Sequence, residues 1–337
     1  MEYDMVKNGP KSMADIAKML NVSSVSVSLA LRNSPLISKE LRKQVQKIAD
    51  ETGFKVRSYR KKSVQNPEVK GTILVLYDKQ NPDDPVAQQI LSSTMKRLSE
   101  LKLRFELCEC EDLYAKPELA SGASGVIYHY CFRPWFSSIL AGIPQVAIMH
   151  EEIDLGPWDN YKPNETLAGK LAADYLLKQG FENLILTWEH GMAYHAENHA
   201  RLDGFRRRVR EAEVSCREIE YDRDDDPQFY FNQLRETLAE TGNKAGIFAF
   251  CDQVAYKVCH VLDFMGLERR SRELEVISCD NTLLIRNLNP PLPVVDLHIA
   301  EIAERAVDGL LWRLEHPEAS HQDVLLKPEL ILPEKHN

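Results

Sequence analysis

From Thr72 onward the chain alternates short apolar runs of strand length with stretches of helical periodicity. The runs are TILVLY (72–77), LRFELCE (103–109), SGVIYHY (124–130), PQVAIMH (144–150), NLILTWE (183–189), AGIFAFC (245–251), LEVISCD (274–280) and VVDLH (294–298). Segments apolar at nearly every position suit strands buried on both faces, as in parallel sheets covered by helices. Helical patterns over 86–101, 167–178 and 302–314 supply the covers. Eight such strands exceed one sheet of ordinary size, so the pattern predicts an α/β body of two doubly wound parallel-sheet lobes. The chain is expected to cross between lobes near 158–164, 289–293 and 316–323. This gives one lobe of 71–160 with 290–318 and another of 161–289 with 319–337. Open sheets of this kind bind ligands beyond the carboxyl ends of their strands.

The first 70 residues differ in character. Residues 1–65 carry 13 Lys and Arg against 6 Asp and Glu, whereas the whole chain of 337 residues has a net charge of −9. A basic head is thus joined to an acidic body. Residues 12–53 read as three short helices. Ser12 caps the first, with Asp15 in the capping-box position and Met13, Ile16, Ala17 and Leu20 on one face. Asn21 suits a tight exit, Ser23 caps the second helix, and Val27, Ala30 and Leu31 form its buried stripe. Ser24, Val25, Ser28, Leu29 and Arg32 then point outward. A third helix starts at Ser38, buries Leu41, Val45, Ile48 and Ala49, and stops at Gly53. Two helices on a tight turn with a third bracing them follow the helix-turn-helix plan, although a small bundle without a DNA role has the same pattern.

The stretch DIAKMLNVSSVSVSLALRNSPLISKELRKQVQKIADETGFK resembles the headpiece of the lactose/galactose repressor (LacI/GalR) family over about forty residues without a gap. The resemblance implies a helix-turn-helix headpiece over 1–57 and a hinge over 58–70. By position it places Ser24 and Val25 among base readers, and Ser23, Ser26 and Ser28 on phosphates or base edges. Leu29 stands where the family usually has arginine, so Val25 and Leu29 offer apolar contact to thymine methyls instead of a guanine-reading fork. After the aromatic, Val56 and Arg57 replace the family's usual proline-asparagine pair, and the minor-groove wedge falls near Ser63 or Val64. Arg57, Arg60, Lys61 and Lys62 form either a phosphate-contacting cluster or a solvated basic linker. The DNA-facing set is Ser12, Ser23, Ser24, Val25, Ser26, Ser28, Leu29, Arg32, Arg57, Arg60 and Lys61.

The body resembles the same family's effector domain, similar to periplasmic sugar-binding proteins, through ARLDGFRRRV (200–209), AFCDQVAYKV (249–258) and VISCDNTLLIRNLNPPLPVVD (276–296). The resemblance makes Arg201 and Asp280 effector ligands and Asp252 a cap and lobe-structure residue. A guanidinium fork and a carboxylate can both bind vicinal hydroxyls or a heterocycle edge. Tyr77, Trp188 and Phe248, at strand ends, are candidate stacking faces for a sugar, with Asp78 beside them and Asp159 and Asn160 as weaker candidates.

Other chemistries have little support in these residues. His190, His195 and His199 lack an HExxH pattern, and Cys108 and Cys110 read as buried small hydrophobes, so no metal is assigned. There is no P-loop, GxSxG elbow or dinucleotide turn, so neither an enzyme nor a cofactor is expected. Seven cysteines without regular spacing, no apolar run near ~18 residues and no signal-like N-terminus predict a reduced, cytoplasmic chain with no membrane partner. The reading is a regulator, in the first instance a repressor. It binds a palindromic operator as a homodimer and responds to a small effector: a sugar or related polyol, or a nucleoside. Packing in related proteins places the dimer surface on 86–101 and around 274–288. Two alternatives stand beside it: a regulator controlled by a protein partner, with a degenerate cleft, and a solute-binding protein or enzyme with an incidental helical cap.

Overall fold

A computed structural model of the chain describes residues 13–20, 22, 27, 30, 38–52, 71–78, 84–129, 133, 135–150, 156, 158–190, 199–222, 227–269 and 271–333. The chain divides into two compact units, Met1–Pro67 and Glu68–Asn337.

In the first unit, α1 (Met13–Leu20) and α2 (Lys39–Thr52) flank a segment in which Val27 and Ala30 are helical. Ser38 begins α2 as the sequence predicts, its hydroxyl accepting from the Leu41 amide at 3.2 Å. Ile16, Ala17, Val27, Ala30 and Val45 form the buried centre, with Leu20, Val22, Leu41 and Ile48 packed against it. The apolar stripes of three helical segments thus converge on one small core. All eleven residues of the expected DNA-facing set, from Ser12 to Lys61, lie outside the described residues.

The second unit contains two six-stranded sheets. The first is built from β1 (Thr72–Tyr77), α3 (Pro85–Glu100), β2 (Phe105–Glu109), α4 (Cys110–Ala115), β3 (Ala123–His129), α5 (Phe136–Ile139), β4 (Gln145–Ile148) and β5 (Trp158–Pro163). The second follows with α6 (Glu165–Lys178), β6 (Asn183–His190), α7 (Ala200–Glu211), β7 (Ser215–Asp222), α8 (Pro227–Glu240), β8 (Ala245–Ala249), α9 (Asp252–Met265), β9 (Leu274–Asp280), α10 (Leu283–Arg286) and β10 (Val294–Asp296). The chain then returns through α11 (Ile299–Glu315) and ends in β11 (Asp323–Leu326) and β12 (Glu329–Ile331). Strand orders are β11-β5-β4-β3-β1-β2 and β12-β10-β9-β8-β6-β7. Every pairing is parallel except β10 with β12. Consecutive residues of β1 enter different cores, Ile73 and Val75 one cluster, Leu74 and Leu76 another, which is why 73–76 carries no polar residue.

Two strands lie in the opposite sheet from the one expected. Residues 294–296 pair with β9 in the second sheet, and 323–326 pair with β5 in the first. The chain therefore crosses after β5, again between β10 and α11, and finally at Lys327 and Pro328 between β11 and β12. The displacement has a physical origin in β5, whose sequence WDNYKP does not read as a buried strand. Asp159 is fully buried there because the Arg313 fork from α11 binds it at 3.0 and 2.7 Å, while Asn160 donates to the His150 carbonyl at 2.7 Å. Arg313 also donates to the Ala319 and Ser320 carbonyls, which fixes the turn into β11.

The crossing of α6 and α7 controls what happens at the second sheet. A Cβ on Gly169 would lie 1.8 Å from the Arg201 carbonyl oxygen, and one on Gly204 2.1 Å from that of Thr166. The two helix backbones touch, which only glycine allows. At an open helical position Gly→Ala would add about 1 kcal/mol. Gly204→Ala is expected instead to destabilise the chain by about 2 kcal/mol or more, because Cβ meets backbone rather than a movable side chain. Urea denaturation measures the sign.

Candidate functional site

The close approach of α6 and α7 brings their first residues together. Asn164 caps α6 by accepting from Leu167 N at 3.0 Å, and His199 caps α7, its Nδ1 accepting from Arg201 N at 3.1 Å. Glu165 and Arg201 follow these caps and meet. Arg201 Nε donates to Glu165 Oε2 at 2.7 Å and Nη2 to Oε1 at 3.0 Å, a two-pronged pair. Nη1 donates to the Phe250 carbonyl at 2.6 Å and to Asp280 Oδ1 at 3.2 Å. The guanidinium lies 4.5 Å from the Phe250 ring centroid, and the His199 ring meets Phe250 edge-on at 4.9 Å. Arg201 is 3% exposed, Asp280 4% and Glu165 7%. Arg201→Ala would strand two buried carboxylates, a loss on the order of 3–5 kcal/mol.

Asp280 ends β9 in an unusual backbone conformation, with φ of 108°, followed by Asn281 at 63°. Non-glycine residues at positive φ store strain on the order of 1–3 kcal/mol and persist only where neighbours hold them. Asp252, at the start of α9, is that neighbour. Its carboxylate accepts from Thr282 N at 2.6 Å, Thr282 Oγ1 at 2.8 Å and Ser278 Oγ at 2.5 Å. Asn281 Nδ2 adds a bond to Asp296 at 2.9 Å. Asp252 thus clamps the turn that presents Asp280.

Burial dominates the electrostatics. It pushes the Asp252 carboxyl up to about 6, against the hydrogen bonds from Ser278 and Thr282. Burial likewise drives Asp280 well above the usual carboxylate range, with Arg201 opposing and Asp252 and Glu165 reinforcing the shift. For Glu165 burial also pushes upward, but the Arg201 charge and hydrogen bonds win and hold it low. Glu165 is therefore the ionised partner of Arg201, while burial favours the neutral form of Asp280.

The first sheet carries a second polar cluster at the carboxyl ends of its strands. Arg133 Nη2 donates to Asp78, just past β1, at 2.6 Å. His129, ending β3, is buried, and desolvation pushes its imidazole down to about 4 despite Asp78, so it is neutral. Tyr77 is half-buried at the end of β1.

The expected site residues divide accordingly. Arg201 and Asp280 meet in one cluster, and Asp78 belongs to the other. Phe248 is a correction: it is fully buried inside β8 and stacks on Phe205 at 4.9 Å, with no face for a solute. Because β8 ends at Ala249, the aromatic beside Arg201 is Phe250. Trp188 is also packed away, 3% exposed with the Arg206 guanidinium 5.1 Å from its ring. Asp159 and Asn160 hold the first crossing rather than a ligand surface. His190 pairs with Glu220, His199 is the helix cap, and His195 lies outside the described residues. The residue sequence reasoning missed is Glu165. The glycines in AGKLAAD and RLDGFRR were its one signal, since small residues on two successive helices indicate a close crossing.

Comparison with known proteins agrees with this geometry. Two mostly parallel sheets with polar clusters at their strand ends, preceded in the chain by a small helical unit, have the architecture of a periplasmic-binding-protein-like body. Residues 12–56 match the model for bacterial regulatory proteins of the lacI family, and 173–332 match the periplasmic binding protein-like domain. The chain thus joins a head of the lacI family of bacterial regulatory proteins to a periplasmic-binding-protein-like domain. It is 24% identical to the ribose operon repressor of Haemophilus influenzae, over 96% of this chain and 98% of that one. It is also 24% identical to the transcriptional regulator DegA of Bacillus subtilis, over 94% and 96%. Among solved structures it resembles a transcriptional regulator CelR–cellobiose complex (TM-score 0.65, 17% identity, 96% of this chain and 99% of that one). It also resembles the lac repressor dimer bound to operator (TM-score 0.63, 17% identity, 96% and 98%).

A carboxyl raised on folding withdraws stability as the pH climbs from its unfolded value to its folded one. For Asp252 that window runs from 3.8 to about 6. The difference in unfolding free energy, wild type minus Asp252→Asn, should therefore fall by roughly 3 kcal/mol between pH 4 and pH 7. A flat difference would show that Asp252 ionises freely.

Proposed function

We propose that the chain is a transcriptional repressor that binds a palindromic operator as a homodimer and takes a small polyol effector, a sugar in the first instance, between its two sheets. The observation that carries this reading is the meeting of Arg201, Asp280 and Phe250 at the carboxyl ends of β8 and β9, in a chain whose first residues match the lacI head. A carboxyl group, a guanidinium and an aromatic ring are the groups that hold sugar hydroxyls and a sugar face. The printed descriptions of similar structures support the effector class, naming bound ribose in one and D-xylulofuranose in another. The protein works in the cytoplasm as a regulator and not as an enzyme. Among the described residues, no helix is long and apolar enough to cross a membrane.

Dimerisation follows from the reading problem: one short helix contacts too few base pairs for specificity, and a two-fold pair doubles them. The surface proposed for it is the outer stripe of α9 with α10. Tyr256, His260 and Phe264 recur every fourth residue there, Phe264 at 82% exposure, with Leu283 of α10 at 69%. On α3 the face carrying Val86, Ile90, Thr94 and Leu98 is buried, so a contribution of 86–101 to the dimer comes from its other faces. The strand over 274–280 is wholly buried.

Operator binding is expected to fall roughly a thousandfold or more between 50 and 200 mM salt, as counterion release from several phosphate contacts requires. Fluorescence anisotropy with operator and random duplex reads this directly. A salt-independent affinity would remove the DNA-binding role. Val25→Ala should weaken operator by about 1 kcal/mol and leave random duplex unchanged; equal loss on both would show that Val25 reads no base.

A further inference from the structure

Resting on the effector reading above, we infer that Glu165 makes this site select an uncharged or cationic polyol, and reject sugar acids and sugar phosphates, by occupying the fork of Arg201. An exposed guanidinium is the side chain best shaped for a carboxylate or phosphate, offering five N–H donors in a plane. Here four of the five are committed inside the protein. Nε and one N–H of Nη2 go to Glu165, and the two N–H of Nη1 go to the Phe250 carbonyl and Asp280. An anion arriving at Arg201 would have to displace a bidentate carboxylate that is already in place, buried and ionised.

The charge balance points the same way. Glu165 matches the single positive charge of Arg201, so the fork offers no unmatched positive charge to a second anion. A second anion would meet the Glu165 carboxylate in a site too buried for water to screen the repulsion. The glycine contacts between α6 and α7 set this arrangement, since they bring the first turn of each helix to the same place. Glu165 acts as a specificity-determining residue through Arg201 and need not touch the effector itself.

The test is thermal denaturation of the full-length protein and of Glu165→Gln with D-ribose, cellobiose, D-glucosamine, D-gluconate and ribose 5-phosphate. In the variant Arg201 keeps its hydrogen bonds to the Phe250 carbonyl and to Asp280, so the guanidinium is not left without partners. Gluconate or ribose 5-phosphate should raise the Tm of Glu165→Gln by about 3 °C or more at roughly 10 mM, and leave that of the wild type unchanged. Equal stabilisation of both proteins by an anion would overturn the inference, since the wild-type site would then accept anions as it stands. Absence of any anion response in either protein would overturn it too, because Glu165 would not be what excludes them. If Glu165→Gln lacks a folded baseline, Glu165→Ala gives the same two readings. Failure of the effector reading looks different: the neutral sugars and glucosamine shift neither protein while the variant still gains its anion response.

Discussion

Two helix backbones in contact are the constraint on which the candidate site depends. With side chains between them, α6 and α7 would sit a normal helix-packing distance apart, and Glu165 would not reach Arg201. Gly169 and Gly204 remove that spacing, each lying against a carbonyl oxygen of the other helix. Each helix then delivers a residue of its first turn: an acid from one, a base from the other. The energetic logic is that of a buried ion pair, in which neither ion is tolerable without the other. Close packing comes first, and it makes the burial of charge affordable. The same burial raises the carboxyls of Asp252 and Asp280.

The strain at Asp280 belongs to the same system. A strand that ended conventionally would carry its last side chain along the alternation of the sheet. Positive φ at Asp280 and Asn281 redirects the chain, and the three hydrogen bonds to Asp252 hold it there. Asp252 is raised by burial and yet remains an acceptor for Ser278 and Thr282, so it does structural work without facing a ligand. The polar cluster of Asp78, Arg133 and His129 shows the same economy at the first sheet: a paired charge and a neutral imidazole.

Much of the body was legible because continuous apolar runs have few other uses. β1, β8 and β9 lie within the stretches TILVLY, AGIFAFC and LEVISCD, and β6 runs one residue past NLILTWE. β5 was not legible, since burial of Asp159 depends on Arg313, 154 residues further on. β7 escaped for another reason: as an edge strand it buries Ile219 and Tyr221 and leaves most other positions at least partly open. In the site, Arg201 and Asp280 were found through resemblance, whereas Glu165 had no local signature of burial. Phe248 and Phe250 were confused because an apolar run does not reveal where its hydrogen bonding stops. Two residues separate a core ring from a ring at the site.

The final strands carry a thermodynamic consequence. β11 completes the first sheet and β12 the second, with Lys327 and Pro328 alone between them, and α11 leaves the second sheet to pack on the first. Neither sheet can lose its terminal strand without pulling on the other. One hydrophobic cluster also runs through residues of both sheets, so the body is a single cooperative unit, and a lesion in either sheet lowers the melting of both. Partly unfolded states with one intact lobe, the species most prone to aggregate, are suppressed by nine residues at the end of the fold.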